Sequence, residues 1–448
     1  MERYQLGHRH RGVRRELRAH DHSCPPAGRR PSEGSRRSED RGPTGSLAGG
    51  RKPQLLWGSP LPPTRSGIAD YAAELLPHLA HHADIRVLTP PGWAGDDSYL
   101  GLPMISLGRD SEPGVGGRGP TPLLHLGNNP YHLWIAGYLR RHGGFVVLHD
   151  TVLHHLLVEE AAADGGWERF EAELSEAHGR AGTALAEGRR WGMHGPSDPF
   201  LFPARSVFLR LARGVIVHSR RALVEVGRDC PGLPVRQVPL ALGALPAGDR
   251  SAWRRRLGAG ERELVLTHLG FLTPAKGLNA IFKAMLTLRE LAVAVRLIVV
   301  GEGSEGATIE RIVAAGGLGD SIRLWGFASE AELGGILAAS DLGLVPRFPT
   351  AGETSAAALR FLSAGVPVAV AGYRQFLELP ADAAFRLAPG QGGTADLVRL
   401  VAHLAGDPGR VALAKAAARA AWERGGHPPQ VAAERLAGAL GELIGELA

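Results

Sequence analysis

The segment Arg347-Phe348-Pro349-Thr350-Ala351-Gly352-Glu353-Thr354-Ser355 places an arginine, a glycine, a carboxylate and two hydroxyls in one short stretch. It follows the apolar run Leu342 to Pro346 and precedes the apolar run Ala356 to Leu362. A strand, a loop and a well-capped helix are the expected elements, since Ser and Thr are good N-caps. The start of a helix presents free N–H groups and a partial positive charge, which suits a phosphate. Glu353 would repel a bare phosphate. It fits a ligand that carries hydroxyls beside its phosphate, as a nucleotide-sugar does. A plain loop leading into a capped helix is the alternative.

Other segments have the same strand–loop–helix form. Gly270-Phe271-Leu272-Thr273-Pro274-Ala275-Lys276-Gly277 offers Lys276 as a point charge for a diphosphate, in what reads as the first turn of a helix Lys276–Arg289. A cation is out of place there on dipole grounds unless an anion is near. Ser66-Gly67-Ile68-Ala69-Asp70-Tyr71 opens a helix with a glycine that lets backbone approach a ligand. His149-Asp150 ends an apolar strand, where the imidazole could meet a sugar hydroxyl or Asp150 could simply cap the next helix. His125, Asn128, Asn129 and His132, also at a strand end, are acceptor-side candidates or ordinary loop residues. Gly301-Glu302-Gly303-Ser304-Glu305-Gly306 spells a dinucleotide fingerprint. It is not on the first strand of its series, carries two acids and lacks a ribose-binding acid one strand on, so it reads as a tight turn. No Asp-x-Asp pair, zinc-spaced Cys/His cluster, P-loop or Gly-x-Ser-x-Gly elbow is present.

Two alternating strand–helix series must position these loops. The first has strands near Gln54–Ser59, Ile85–Thr89, Met104–Leu107, Leu123–Gly127, Phe145–His149 and Gly214–His218. The second has Leu264–Leu269, Val295–Val300, Ile322–Trp325, Leu342–Val345 and Pro367–Val370. Short, nearly unbroken apolar runs between helices indicate parallel sheets covered on both faces. The expected fold class is therefore α/β, with two doubly wound domains at 53–243 and 244–428 and the ligand in the cleft between them. Residues 151–212 read as a helical insertion, and 429–448 as a last helix.

The sequence has 448 residues, 44% of them hydrophobic, enough for two large cores. Residues 1–52 carry 13 Lys/Arg against 6 Asp/Glu, a net of +7, while the whole chain is +6, so the remainder carries −1. The high pI is thus local, and no nucleic-acid partner is expected for the folded body. The basic segment is too poor in large apolar residues to order itself and reads as a disordered tail or a start-site extension. A tail that binds nucleic acid or anionic lipid is the alternative, which leaves peripheral membrane contact open. No apolar run is long enough to span a membrane. Cys24 and Cys230 suggest free thiols in a reducing, cytoplasmic setting.

Taken together, Ser66 to Tyr71, His149-Asp150, Val217-His218-Ser219, Gly270 to Gly277, Gly301-Glu302-Gly303, Gly326-Phe327, Gly352 to Ser355 and Gly365-Val366-Pro367 resemble family 4 retaining glycosyltransferases. That resemblance covers about residues 53–447 and implies two Rossmann-like domains in the type B arrangement, with the last helix crossing back onto the first. It implies sugar transfer from a nucleotide-diphosphate sugar to an acceptor hydroxyl with retained configuration, without a metal or other cofactor. It gives His149, Lys276 and Glu353 the catalytic roles. Gly67, Gly270, Gly326, Phe327, Arg347, Gly352, Thr354 and Ser355 become donor contacts. Two positions depart from the family: Phe271 stands where an arginine is usual, and the second family glutamate falls on Arg360 or Phe361. Arg347 would then replace the missing charge. An epimerase or phosphorylase of the same fold, or a non-catalytic sugar-nucleotide binder, are the rival readings.

Overall fold

The computed structural model describes residues 52–93, 95–108 and 119–447; the reading of residues 1–51 as a tail lies outside these. Among the described residues the strands form two sheets. The first contains β1 (Gln54–Gly58), β2 (Asp84–Thr89), β3 (Ser98–Tyr99), β4 (Leu102–Ser106), β5 (Thr121–Leu126), β6 (Gly144–Leu148), β7 (Ala212–Val217) and β8 (Val235–Gln237). Its order is β3-β4-β2-β1-β5-β6-β7-β8, parallel except for β3 against β4. The second contains β9 (Leu264–Leu269), β10 (Val295–Val300), β11 (Ile322–Gly326), β12 (Leu342–Val345), β13 (Val368–Ala371) and β14 (Ala384–Leu387), all parallel in the order β11-β10-β9-β12-β13-β14. Both are doubly wound, with the direction of winding reversing between β1 and β5 and between β9 and β12.

The apolar runs become strands because both faces are covered. Every residue of β6, β12 and β13 is buried. Helices start where serines cap them: Ser66, Ser219, Ser329 and Ser355 each accept a bond from a backbone N–H three residues on. Such a cap contributes about 1 kcal/mol. The insertion is helical, with Trp167–Arg190 bent at Gly179. It packs Leu156, Leu157, Phe170 and Leu174 into one core with Leu124, Leu126 and Val146 of the first sheet.

The last helix, Pro429–Gly445, returns to the first sheet. Leu436, Leu440 and Leu443 join the core that holds Leu75, Leu76 and Leu79 of the helix Gly67–Leu79. Arg236 on β8 pairs with Glu442 at 2.8 Å and also with Glu446. No described helix is long and apolar enough to cross a membrane.

Candidate functional site

In open α/β sheets a ligand crevice forms where the strand order reverses, beyond the carboxyl ends of the strands. In the second sheet that point lies between β9 and β12, and the loops leaving these strands carry Lys276 and Arg347. They are held together by a bond from the Phe348 N–H to the Ala275 carbonyl at 2.9 Å. Lys276 does not lie in a helix first turn. It ends the 3-10 turn Pro274–Lys276, because Gly277 takes a left-handed φ of 73° and the helix begins only at Leu278. Its ammonium stands over Gly270, 3.1 Å from where a Cβ there would be. Among the described residues no carboxylate pairs with it. Burial and the neighbouring Arg347 bring its pKa down to about 7. Beneath them His268 donates from Nδ1 to the Leu344 carbonyl at 3.1 Å, and burial holds it neutral, near 3.

Arg347 forms an ion pair with Glu353. The other carboxylate oxygen of Glu353 accepts from the Thr350 hydroxyl at 2.7 Å. Gln375 braces this loop, donating to Thr350 Oγ1 and to the Glu353 carbonyl, each at 2.8 Å. Gly352 is required here: its φ is +84°, and a Cβ would run into Thr151 Oγ1. The loop after β12 is thereby docked on the loop after β6, with the Val152 N–H donating to the Ala351 carbonyl at 2.9 Å. Thr354 and Ser355 head the helix Ala356–Ser363.

Gly270, Gly301 and Gly326 bring the ends of β9, β10 and β11 close together. A Cβ at Gly301 would strike the Gly270 carbonyl oxygen, and the Gly301 N–H donates to the Gly326 carbonyl at 2.8 Å. The fingerprint-like segment is thus a tight turn that packs on its neighbour. Phe327 is largely exposed beside it, as is Phe271. From the first sheet, Arg65 faces the same loops, 3.8 Å from Glu302 and 5.9 Å from the Phe327 ring. Gly67, two residues on, has open space above it.

His149 sits at the end of β6 in a cluster of aromatic rings. Its Nε2 lies 3.0 Å from His125 Nδ1, and Tyr71 and His218 pack against it with ring centroids at 5.0 Å each. Burial and the surrounding imidazoles hold His149 and His125 well below the ordinary histidine pKa. Asp150 accepts from the Asn128 N–H at 2.7 Å. Burial holds its pKa above the ordinary carboxylate value, against the opposing pull of that bond and of Arg347 of the second sheet.

The predicted residues therefore fall into two groups. Lys276, Arg347, Glu353, Gly352, Gly270 and Gly326 lie on neighbouring loops of the second sheet, and Thr151, two residues beyond His149, donates to the Ala351 carbonyl of one of them at 3.3 Å. The acceptor-side candidates do not stand free. The Asn128 side chain accepts from the His155 and Leu156 N–H groups, Asn129 from the Tyr131 N–H, and His132 is fully buried, bonded to the His125 carbonyl. They build the loop. A cavity of about 200 Å³ lies over the other reversal point, between β1 and β5, and Trp93, Tyr131 and Trp134 line it with Pro60, Pro90 and Thr89. His125, a sequence candidate for the acceptor side, is fully buried against His149 instead. Asp150 was legible only as a cap.

Arg360, at a position expected to hold a carboxylate, turns away from the donor loops. It pairs with Glu74 of the helix Gly67–Leu79 and donates to the Gly243 carbonyl. Residues 249–417 match the model of the family "Glycosyl transferases group 1". A curated relative, D-inositol 3-phosphate glycosyltransferase of Segniliparus rotundus, is 34% identical over an alignment of 142 residues that covers 29% of this chain. The match spans about a third, 32%, of that relative's length. Among solved structures, sucrose-phosphate synthase of Thermosynechococcus elongatus aligns over 88% of this chain and 100% of its own, with a TM-score of 0.62 and 16% identity. HepE of Anabaena in complex with UDP-glucose aligns over 87% of this chain and 100% of its own, at 0.57 and 15%. WaaG, a glycosyltransferase involved in lipopolysaccharide biosynthesis, aligns over 86% of this chain and 98% of its own, at 0.53 and 16%. The chain thus has the two-sheet fold of these structures, and its residues 249–417 are similar to the glycosyl transferases group 1 family.

Proposed function

We propose that this chain is a metal-independent, retaining glycosyltransferase that moves a sugar from a nucleotide-diphosphate sugar to an acceptor hydroxyl. The observation that carries this reading is Lys276: a half-buried ammonium that pairs with no described carboxylate, beside Arg347, at the reversal point of the second sheet. A cation left unmatched there, beside an arginine that Glu353 already pairs, calls for an anion such as a diphosphate. The exposed Phe327 ring next to Gly326 offers a face for a base, and the open approach over Gly67 leaves room for the phosphates.

Breaking the anomeric bond leaves charge on the departing diphosphate. Lys276, Arg347 and the N–H groups of Thr354 and Ser355 are preorganised to receive it, as electrostatic catalysis requires. No group of three or more His, Cys, Asp or Glu suited to a metal is found among the described residues. Glu353 is committed to Arg347 and Thr350, and Asp150 to the Asn128 N–H. With neither carboxylate free as a nucleophile, attack by the acceptor on the same face through an oxocarbenium-like state is the favoured route to retention. His149 would steady the donor sugar. The aromatic cavity between β1 and β5 would hold the acceptor, since its rings suit the apolar face of a sugar.

The test is turnover of UDP-glucose and other nucleotide-sugars in EDTA, with and without sugar acceptors, followed by proton NMR of the product anomer. Release of nucleoside diphosphate with a product of the donor's own configuration supports the reading. Inverted product, or activity that needs added magnesium or manganese, overturns the retaining or metal-free part. No turnover of any donor, together with tight nucleotide-sugar binding, would favour a binding protein.

A further inference from the structure

Charge at the donor crevice does not balance on the second sheet alone. A nucleotide-diphosphate sugar brings one negative charge on each phosphate, and the departing diphosphate gains another as the anomeric bond breaks. Arg347 is already matched by Glu353. Lys276 pairs with no described carboxylate, yet burial and Arg347 bring its pKa to about 7, so it holds its proton only in part until an anion arrives. Phe271, on the loop between β9 and Lys276, is apolar, and Glu302, just past β10, adds a negative charge at the rim.

The first sheet brings a further cation to this rim. Arg65 lies on the loop that leaves β1, at that sheet's own reversal point. The loop is set by bonds from the Thr64 N–H to the Leu61 carbonyl at 3.0 Å and from the Ser66 N–H to the Thr64 carbonyl at 2.9 Å. Ser66 then caps the helix Gly67–Leu79 by accepting from the Ala69 N–H. The Arg65 guanidinium stands 3.8 Å from Glu302 and 5.9 Å from the centre of the Phe327 ring.

Glu302 leads back to Lys276 through touching loops. Its carbonyl accepts from the Leu272 N–H at 2.9 Å. Gly301 before it packs on Gly270 so closely that a Cβ would lie 2.1 Å from the Gly270 carbonyl oxygen, and the Lys276 ammonium stands over Gly270. Among the described residues no other carboxylate pairs with Arg65. Its side chain is 77% exposed and that of Glu302 59%, so their ion pair contributes little and is easily exchanged. A phosphate offers the planar guanidinium the stronger, two-bonded contact.

On the reading that the donor is a nucleotide-diphosphate sugar, we propose that Arg65 leaves Glu302 for the donor's diphosphate, which is then held between Lys276 of the second sheet and Arg65 of the first. Arg65 is on this account a catalytic residue as well as a binding one, because the charge it meets grows as the sugar departs.

The experiment is calorimetry of UDP, GDP and ADP on the full chain and on Arg65→Ala, Arg65→Lys and Arg65→Glu, with thermal unfolding of each variant. The parent is expected to bind at least one of these diphosphates. Arg65→Ala should weaken that binding about tenfold, Arg65→Glu more, and Arg65→Lys less. Added salt should weaken binding to the parent more steeply than binding to Arg65→Ala. Turnover of the matching nucleotide-sugar should fall further than diphosphate binding does, as a contact that strengthens in the transition state requires. Unfolding temperatures should stay the same, since the side chain is exposed. A parent that binds a diphosphate and an Arg65→Ala variant that binds it equally well overturn this inference and leave the donor reading standing. A parent that binds none of the three removes both. Weaker binding with a fall in unfolding temperature in all three variants would make Arg65 a structural residue and overturn the inference as well.

Discussion

Arg360 and Glu74 form an ion pair between the helix Ala356–Ser363 of the second sheet and the helix Gly67–Leu79 of the first. The same guanidinium donates to the Gly243 carbonyl, and Glu74 receives the Gly243 N–H. One arginine thus ties both helices to the segment that joins the two sheets. Its side chain is 14% exposed and that of Glu74 19%, so the pair is screened less than a surface pair. The basic residue is a fastening here, which accounts for it without invoking a changed donor.

Arg360→Glu should therefore destabilise the chain. Charged hydrogen bonds of this kind contribute roughly 1.5–3 kcal/mol each, and the substitution also sets two carboxylates against each other. A fall of several degrees in unfolding temperature is expected. The exchange Arg360→Glu with Glu74→Arg should recover most of it. If the double variant is no more stable than the single one, the pair is not what holds these helices.

How much of this was legible in advance depends on where each residue's partners lie. β9, β10 and β12 run between the residues their apolar composition suggests, because each is a largely buried apolar run with a charge or a glycine at one end at least. The edge strands β3, β8 and β14 are short and partly exposed, and β8 and β14 carry an arginine, so no run stands out. Lys276 was legible as a cation beside a helix. Its 3-10 turn was not, because that depends on the left-handed backbone at Gly277. Asn128 looks like a free loop side chain in sequence, yet its oxygen caps a helix 27 residues away. Arg360 could be read as a missing carboxylate, but its partner 286 residues away could not.

Lys276 gives a prediction about protons. Its pKa is brought to about 7, from an ordinary 10.5. At pH 8 the ammonium is therefore mostly deprotonated when nothing is bound. A bound diphosphate stabilises the charged form and raises the pKa, so binding must take up a proton. Calorimetry of UDP at pH 8 in buffers of different ionisation enthalpy should show uptake of up to about one proton. Lys276→Arg should abolish the uptake while keeping the charge, since arginine stays protonated. Lys276→Ala should weaken binding by about 10- to 100-fold. Equal heats in all buffers would mean that this lysine does not meet the phosphates.

Glu353 gives the opposite pattern. Its carboxylate holds Arg347 and Thr350 in place, so it acts on the donor through the loop as well as through any sugar hydroxyl. Glu353→Gln keeps the shape but loses the ion pair. It should leave UDP binding within a few-fold of the parent and lower transfer from the full donor by at least tenfold. A variant that transfers sugar at the parent rate would remove Glu353 from the site.

The last prediction concerns the buried histidines. His132 and His218 are held neutral, each near 4, and burial depresses His125 and His149 well below the usual value. In the unfolded chain these rings titrate near 6.5. Between about pH 6.5 and 4 the unfolded state thus binds protons that the folded state refuses. Stability is complete above 6.5 and is lost as the pH falls toward 4, at up to about 1.4 kcal/mol per pH unit for each histidine. Unfolding in urea should show a steep loss between pH 7 and pH 5, where few carboxylates titrate in the unfolded chain. Substituting one ring of the cluster, His132→Gln, should make that loss shallower even if it lowers stability at pH 7, because one group that charges on unfolding is gone. A parent whose stability is flat from pH 7 to pH 5 would show that these histidines are not buried as neutral rings.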